Sequence, residues 1–221
     1  MIIIQFCIGT VIGSFLQVVN QRQLAHQSWI TPRSRCDQCR EPLKWYELVP
    51  IISYLSLRGR CRYCRVSIPR TTLFSELFGG LCLLQWTPTG PSTLQSLLGL
   101  GLILLANRDQ TTTNLSQLWL IAAFVFALIT RVFFTPPTLW TLLVVFVWAA
   151  LQIVTIELPG VGLADLDVAC LVLVLFSPIT ATWLFLIASI SALLSCLIHQ
   201  RNGVPFLPHL TVAYLLILYI N

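Results

Sequence analysis

Residues 1–19 read MIIIQFCIGTVIGSFLQVV and contain no charged side chain. A helix that spans a lipid bilayer needs about 20 mostly apolar residues, so this run is long enough to be one. It lacks the basic start of a secretory signal. We therefore expect a retained membrane span rather than a cleaved signal peptide.

The rest of the chain has the composition of a membrane protein. Of its 221 residues, 57% are apolar and 10% are charged, and the mean hydropathy is +0.84. A soluble surface does not have this composition. Seven further apolar stretches occupy residues 73–86, 92–107, 115–134, 138–156, 158–176, 179–198 and 206–220. The sequence thus predicts an all-α fold, a polytopic bundle of about eight membrane spans.

One polar segment interrupts the apolar stretches. Residues 20–72 contain ten of the 13 Lys and Arg residues but three of the eight acids. Short basic loops stay on the cytoplasmic side of a membrane, so the net charge of +5 indicates topology rather than nucleic-acid binding. Alternation of the spans then places Arg108, Asp109 and residues 161–167 on the cytoplasmic side as well. We expect a multi-pass protein of the cell membrane whose partners include the lipid bilayer and no nucleic acid.

The polar segment contains two cysteine pairs with the spacing of a zinc ribbon. Cys36-x-x-Cys39 and Cys61-x-x-Cys64 are separated by 21 residues. Each pair can present two thiolates to one metal ion, and two pairs complete a tetrahedral shell. Disulfides are the alternative, but they are rare in a reducing cytoplasm. The sequence predicts a structural Zn²⁺ site with no open position for a catalytic water.

Five acids follow this loop, and each lies in or beside an apolar stretch: Glu76, Asp109, Glu157, Asp165 and Asp167. An ionised carboxylate at the centre of a span costs roughly 2.5–3.5 kcal/mol, so one that persists usually has a task or a partner. The alternative is an interfacial acid, which is the simpler interpretation of Asp109 alone. Asp165 follows Gly162-Leu163-Ala164, where small residues let another helix or an extended peptide approach the backbone.

Asp109 and Asp165 come from different stretches and fall on the same predicted side of the membrane. Two carboxylates a few ångströms apart cannot both ionise, so such a pair holds one proton. The ionised member can deprotonate a water while the protonated member polarises a scissile carbonyl. Asp167 cannot share this face, since two helical residues turn about 200°. We expect Asp167 to be solvated or to stand at a helix start, near the positive end of the dipole.

Six short sequence blocks along the chain carry a family resemblance. They are Gly13-Ser14-Phe15-Leu16 with Asn20 and Arg22, Ser34-Arg35-Cys36-x-x-Cys39, Glu47-x-x-Pro50-Ile51-x-Ser53-Tyr54, Arg58-Gly59-Arg60-Cys61-x-x-Cys64, Arg70 with Glu76-Leu77, and Val204-Pro205-Phe206-x-Pro208. Together these blocks resemble the bacterial type IV prepilin peptidase family. In its small size and its sequence Gly162-Leu163-Ala164-Asp165, the chain is similar to enzymes of competence systems.

The resemblance implies an aspartic endopeptidase and N-methyltransferase. Such an enzyme cleaves the leader from prepilins or pseudopilins at the cytoplasmic membrane face, then methylates the new N-terminus from S-adenosylmethionine. The resemblance implies Asp109 and Asp165 as its catalytic aspartates, Asp165 matching the Asp of the Gly-x-Gly-Asp motif. Here Ala164 replaces the second Gly, Asp167 stands where a Lys is common, and residues 110–117 lack the usual Pro. The residues that bind the methyl donor are not identified.

These inferences divide the chain into three segments. They are a first transmembrane segment (1–19), the four-cysteine zinc loop associated with methyl transfer (20–72), and a transmembrane aspartic peptidase core (73–221). Two other functions fit parts of the pattern. A carrier or channel would use the acids as ion sites, although such sites lie nearer the membrane midplane. A non-enzymatic assembly factor would use the zinc knuckles to bind a partner.

Overall fold

The structure, a computed structural model, describes residues 1–28, 30–31, 33–111, 117–134, 136, 138–153, 163–200 and 204–220. Within these ranges the regular structure is helical, with two isolated antiparallel bridges, Arg35–Pro42 and Arg60–Ser67. The all-α prediction is therefore confirmed. Contacts divide the chain into two compact units, Met1–Asn107 and Arg108–Asn221. The three functional segments expected from the sequence stay a prediction.

Each of the eight apolar stretches contains a helix. The eight are α1 (Ile2–Leu24), α3 (Arg70–Leu84), α4 (Gly90–Thr111), α5 (Gln117–Phe134), α6 (Leu139–Ile153), α7 (Leu163–Leu175), α8 (Pro178–His199) and α9 (Phe206–Ile220). A short α2 (Ile52–Ser56) and a 3₁₀ turn (Trp45–Leu48) lie in the polar loop.

Two of the described helices are long and apolar enough to cross a membrane. They are Ile2–Leu24 and Pro178–Ile198, with mean hydropathies of 2.1 and 2.2. The apolar helices α6 and α9 have 15 residues each, which is about 22 Å of helix, less than the roughly 30 Å of a hydrocarbon core. The two long helices support the membrane class, and the count of eight spans stays a prediction.

Helices α1 and α3 pack against each other at backbone distance. A Cβ atom on Gly9 would overlap the carbonyl oxygen of Gly79, and a Cβ on Gly79 would overlap that of Gly9. A Cβ atom on Gly13 would likewise overlap the carbonyl oxygen of Ser75. Small residues allow this approach, as they do between membrane helices generally. The close packing of α1 on α3 therefore depends on glycines, where a larger residue would not fit.

A row of buried polar side chains joins α1, α3 and α4 beyond these glycines. Asn107 Nδ2 donates to Ser75 Oγ at 3.0 Å, and Gln17 Nε2 lies 3.5 Å from Thr71 Oγ1. The hydroxyl of Ser75 also donates to the backbone carbonyl of Thr71 at 2.8 Å. Asn20, nearly one turn after Gln17, is fully buried, and its amide has no hydrogen-bond partner in the part of the chain that the structure describes.

The second unit is built from helix pairs. Helix α7 packs against α5 and α6, and α8 packs against α9. The ring of Phe124 on α5 stacks on Trp148 of α6, with the centroids 4.0 Å apart. Across the α8–α9 pair, Ser191 Oγ lies 3.1 Å from Nδ1 of His209. The contacts with α5 and α6 hold α7, the helix that carries Asp165 and Asp167.

We predict that Gly9→Ala lowers the thermal unfolding midpoint of the purified protein in lipid nanodiscs. The added methyl group forces α1 and α3 apart, and overpacking of this kind costs about 1–3 kcal/mol. Gly101→Ala on α4 is the matched control, because a Cβ there meets no described atom within 4 Å. Equal midpoints for the two variants would contradict the close packing of α1 on α3.

Candidate functional site

The two cysteine pairs form two knuckles with the same backbone geometry. In the first, Cys36 N–H donates to the Glu41 carbonyl at 3.0 Å, and Arg40 N–H donates to the Cys36 carbonyl at 2.9 Å. In the second, Cys61 N–H donates to Val66 at 2.8 Å, and Arg65 N–H donates to Cys61 at 3.1 Å.

Arginine occupies the same left-handed position in both knuckles. Arg40 and Arg65 each have φ near +60°, the region that lets the chain turn back after the second cysteine. The sequences Arg35-Cys-Asp-Gln-Cys-Arg40 and Arg60-Cys-Arg-Tyr-Cys-Arg65 are therefore two copies of one structural unit. The sequence analysis identified the two cysteine pairs, but not the left-handed position that Arg40 and Arg65 share.

The four sulfurs are close enough to hold one metal ion. Those of Cys36, Cys39, Cys61 and Cys64 all lie within 4.8 Å of one another, and Cys36 Sγ is 3.7 Å from Cys64 Sγ. Zn–S bonds of about 2.3 Å in a tetrahedron would put the sulfurs about 3.8 Å apart. The donor set and its spacing fit Zn²⁺, and all four positions would be filled by sulfur.

The thiols of the cluster differ in acidity. Backbone N–H groups of Cys64 and Tyr63 lower the pKa of Cys61 to about 7, although its partial burial acts in the opposite direction. For Cys39, the backbone N–H of Glu41 lowers the pKa, but burial and hydrogen bonds with the other three thiols outweigh it and raise the pKa to about 11. A bound metal ion would displace these protons, because it binds thiolates.

The remaining cysteines lie in helices and are not members of this cluster. Cys82 and Cys170 are buried, Cys196 is partly buried, and Cys7 is exposed on α1. None of these four belongs to a group of three or more ligands among the described residues.

Asp109 lies in the last turn of α4, beyond the apolar run that ends at Asn107. Its Oδ2 accepts a hydrogen bond from the backbone N–H of Leu207, at the start of α9, over 3.2 Å. Asp165 lies in the first turn of α7, and its charge acts on Asp109. The end of α4 and the start of α9 therefore meet at Asp109, and the start of α7 is near enough for the charge of Asp165 to act there.

The pKa of Asp109 is raised above that of a free aspartate. Burial is the larger cause, and the negative charge of Asp165 adds to it, while the hydrogen bond from Leu207 opposes both. A raised pKa of one carboxyl beside another is what a pair that shares a proton requires. Two of the residues predicted from sequence are thus near enough to interact electrostatically, and their role as a catalytic pair stays a prediction.

Asp167 does not face this pair. It is buried, and its Oδ1 accepts hydrogen bonds from Trp148 Nε1 at 3.0 Å and from Gln152 Nε2 at 2.6 Å. Both donors belong to α6. The prediction that Asp167 points away from Asp165's face agrees with these contacts. Of the two expected positions, the solvated one is wrong, since α6 covers the side chain, while the position near a helix start agrees with the beginning of α7 at Leu163.

Glu76 of α3 has a defined structural position that sequence reasoning left open. It is buried, its Oε1 accepts from Ser14 Oγ at 2.8 Å, and its Oε2 accepts from Ile51 N–H at 2.7 Å. One carboxylate therefore ties α1, α3 and the polar loop together. The position of an acid within an apolar stretch indicated that Glu76 has a partner. The partners, Ser14 and Ile51, are distant in sequence and could not be identified from it.

Some predicted features lie outside the described residues. They are Glu157, Gly162 of the Gly162-Leu163-Ala164-Asp165 sequence, and residues 112–116 after Asp109. Ala164 belongs to α7.

Comparisons with known proteins agree with the resemblance. The profile of the Bacterial Peptidase A24 N-terminal domain matches residues 7–87. The prepilin leader peptidase/N-methyltransferase of Myxococcus xanthus is 47% identical over 76 residues, which is 34% of this chain and 23% of that protein. The protein of the same name from Klebsiella pneumoniae is 38% identical over 108 residues, 46% of each chain.

A longer match is to the type 4 prepilin-like proteins leader peptide-processing enzyme of Escherichia coli O78:H11. It is 30% identical over 171 residues, 67% of this chain and 58% of that enzyme. The chain thus spans less than two thirds of the length of these relatives, and no solved structure matches it. The profile match, these relatives and the sequence blocks together support an assignment to the prepilin peptidase family.

Proposed function

We propose that this protein cleaves the leader peptide from type IV prepilins or pseudopilins, with Asp109 and Asp165 as its catalytic residues. The observation that carries the proposal is the position of Asp109 at the end of α4, where it accepts a hydrogen bond from the start of α9 and where the charge of Asp165, in the first turn of α7, acts on it. The names of the relatives supply the substrate class.

The carboxylate pair would act on a water molecule and a peptide bond. With one proton shared between Asp109 and Asp165, the ionised oxygen takes a proton from water as the water oxygen bonds to the scissile carbonyl carbon. The protonated oxygen stabilises the charge that develops on the carbonyl oxygen. Collapse of the tetrahedral intermediate breaks the C–N bond, and a proton from the pair goes to the leaving amine. The Leu207 N–H holds one oxygen of Asp109 in place throughout.

The proposed location is the cytoplasmic face of the cell membrane. If all eight apolar helices span, alternation puts the end of α4 and the starts of α7 and α9 on the side of the basic loop. The hydrogen bond from Leu207 to Asp109 and the interaction with Asp165 join these same three ends. A leader that remains in the cytoplasm would meet the pair there.

We propose a structural role for Zn²⁺ at Cys36, Cys39, Cys61 and Cys64. A sulfur shell with no open position supplies no metal-bound water, so the ion would brace the loop rather than hydrolyse the substrate. The relatives' names also include N-methyltransferase activity, for which S-adenosylmethionine would be the methyl donor. The sequence contains no Gly-rich nucleotide loop of a known type, so we assign no residue to that cofactor.

We predict that Asp109→Asn and Asp165→Asn each reduce cleavage of a purified prepilin at least about 100-fold, since each removes one half of the acid/base pair. The assay follows loss of the leader in nanodiscs by mass spectrometry. Asp167→Asn is the matched control, because an Asn Oδ1 can still accept from both Trp148 and Gln152. Cleavage at the parental rate by either variant would refute the catalytic pair. A carrier or a non-enzymatic assembly factor does not need the two aspartates for cleavage.

The shared proton also predicts a bell-shaped pH dependence of kcat/KM. On the acid side the pair gains a second proton and loses its base. On the alkaline side it loses its last proton, and the raised pKa of Asp109 moves this limb above the pH at which a free aspartate ionises. The profile is measured with one prepilin across a buffer series, with Asp167→Asn as control. A rate that stays constant to the alkaline end would contradict the requirement for a protonated carboxyl.

We predict about one zinc ion per chain in protein purified under reducing conditions, measured by elemental analysis. Cys36→Ser should lose most of this zinc, because three thiolates bind it less tightly. Cys7→Ser, at an exposed cysteine of α1, should keep it. Parent protein without zinc, or equal zinc in both variants, would overturn the metal assignment.

A further inference from the structure

The polar loop exposes a compact group of large apolar side chains. Trp45 and Leu48 of the 3₁₀ turn are 76% and 43% exposed, and Ile52 and Leu55 of α2 are 65% and 63% exposed. We call these four residues the loop patch. The two short helices contact each other, so the four side chains belong to one region of the surface.

Each helix contributes two members of the loop patch from one face. Trp45 and Leu48 are three residues apart, and side chains at this spacing eclipse on a 3₁₀ helix. Ile52 and Leu55 have the same spacing on an α-helix and are neighbours there. Glu47, between the first two, points inward and is buried. This arrangement is amphipathic, with its apolar side turned outward.

The hydrogen bond from Ile51 to Glu76 sets the level of the loop patch along the helix pair. Glu76 lies six residues, or about 9 Å, inside the start of α3 at Arg70. Ser14, which contacts the same carboxylate, lies ten residues, or about 15 Å, before the end of α1 at Leu24. The chain before α2 therefore reaches back alongside the helices instead of standing clear of them.

The backbone at this level is turned sharply and has its polar groups satisfied by the protein. Ile51 has φ +60° and ψ −53°, and the N–H of Ile52 donates to the Pro50 carbonyl at 2.6 Å, which makes a γ-turn. A β-branched residue adopts positive φ only under strong constraint. Irregular backbone at membrane depth is tolerated only where the protein supplies its hydrogen-bond partners, and the carboxylate of Glu76 does so.

Charge next to the loop patch suits an anionic surface. Lys44 directly precedes it and Arg58 follows α2, both exposed, and Arg62 lies against the ring of Tyr46. Exposed apolar side chains flanked by Lys and Arg are typical of segments that lie in the interface of anionic membranes. Phe15 on α1 directly follows Ser14 in sequence and Phe74 on α3 lies two residues before Glu76, and both are exposed as well.

We propose that the loop patch inserts into the headgroup region of the bilayer leaflet on the loop side, so that the 3₁₀ turn and α2 form an interfacial anchor. The proposal rests on the membrane placement of α1 and α3 described under the proposed function. In it, Glu76 is a positioning residue that holds the turn at Ile51 at the required depth.

The test uses Trp45 as a probe in full-length protein. Nanodiscs contain phosphatidylcholine and phosphatidylglycerol brominated near the headgroup end of the acyl chains, with no prepilin present. Trp45 emission is obtained as the difference between the parent and Trp45→Phe. We expect brominated lipid to quench roughly half of this difference or more, as for a side chain at the headgroup boundary. Leu55→Trp in the Trp45→Phe background repeats the measurement from α2.

Two tryptophans of the second unit calibrate the signal. Trp183, exposed on the apolar helix α8, should be quenched, and Trp148, stacked on Phe124, should be quenched less. Repeating the experiment with Asp109→Asn separates the anchor from catalysis, since quenching should persist in the inactive protein. Unquenched emission from Trp45 and from Leu55→Trp overturns the proposal. If that emission then shifts only when a prepilin is added, the loop patch is a substrate surface instead.

Discussion

A polar group buried in a protein has no water to bind, so its partner must come from the protein itself. The contacts of Glu76 and Asp167 show this constraint at two places. Each carboxylate is buried in an apolar helix, and each accepts two hydrogen bonds from segments other than its own helix. These groups decide which helices are neighbours, because a displaced helix would leave a buried acid without a donor. The close approach at Gly9 and Gly79 then brings α1 and α3 into contact.

The proposed catalytic pair has a different balance of forces. Asp109 is held by one backbone N–H, and the neighbouring carboxylate opposes its ionisation. Asp167, only two residues after Asp165, has two side-chain donors on a single oxygen. The start of α7 therefore carries Asp167, which is held by two hydrogen-bond donors, and Asp165, whose charge acts on Asp109. Local surroundings, rather than residue type, separate the structural aspartate from the candidate catalytic one.

Much of the helical architecture could be predicted from the sequence, because apolar runs between prolines mark helices by composition alone. Helix ends differ by a few residues, as at α1, which continues past Val19 to Leu24. The four-cysteine cluster also follows from spacing. The partners of Glu76 and Asp167 could not be predicted, since Ser14, Ile51, Trp148 and Gln152 are recognised only once helices are packed. The rotation between residues of a helix predicts that Asp167 lies on a different face from Asp165. It does not predict that α6 covers Asp167.

The repeated knuckles also bear on the chain between them. A metal ion held by both would join residues 36–39 to residues 61–64, and the intervening segment, with its 3₁₀ turn and α2, would become a closed ring. Closing a ring removes conformations from the unfolded loop, so part of the order of this segment would come from lost entropy rather than from contacts. The ring is fastened a second time where Ile51 meets Glu76. The metal ion at the base of the ring and the carboxylate of Glu76 near its middle would then both restrict the conformations of this segment.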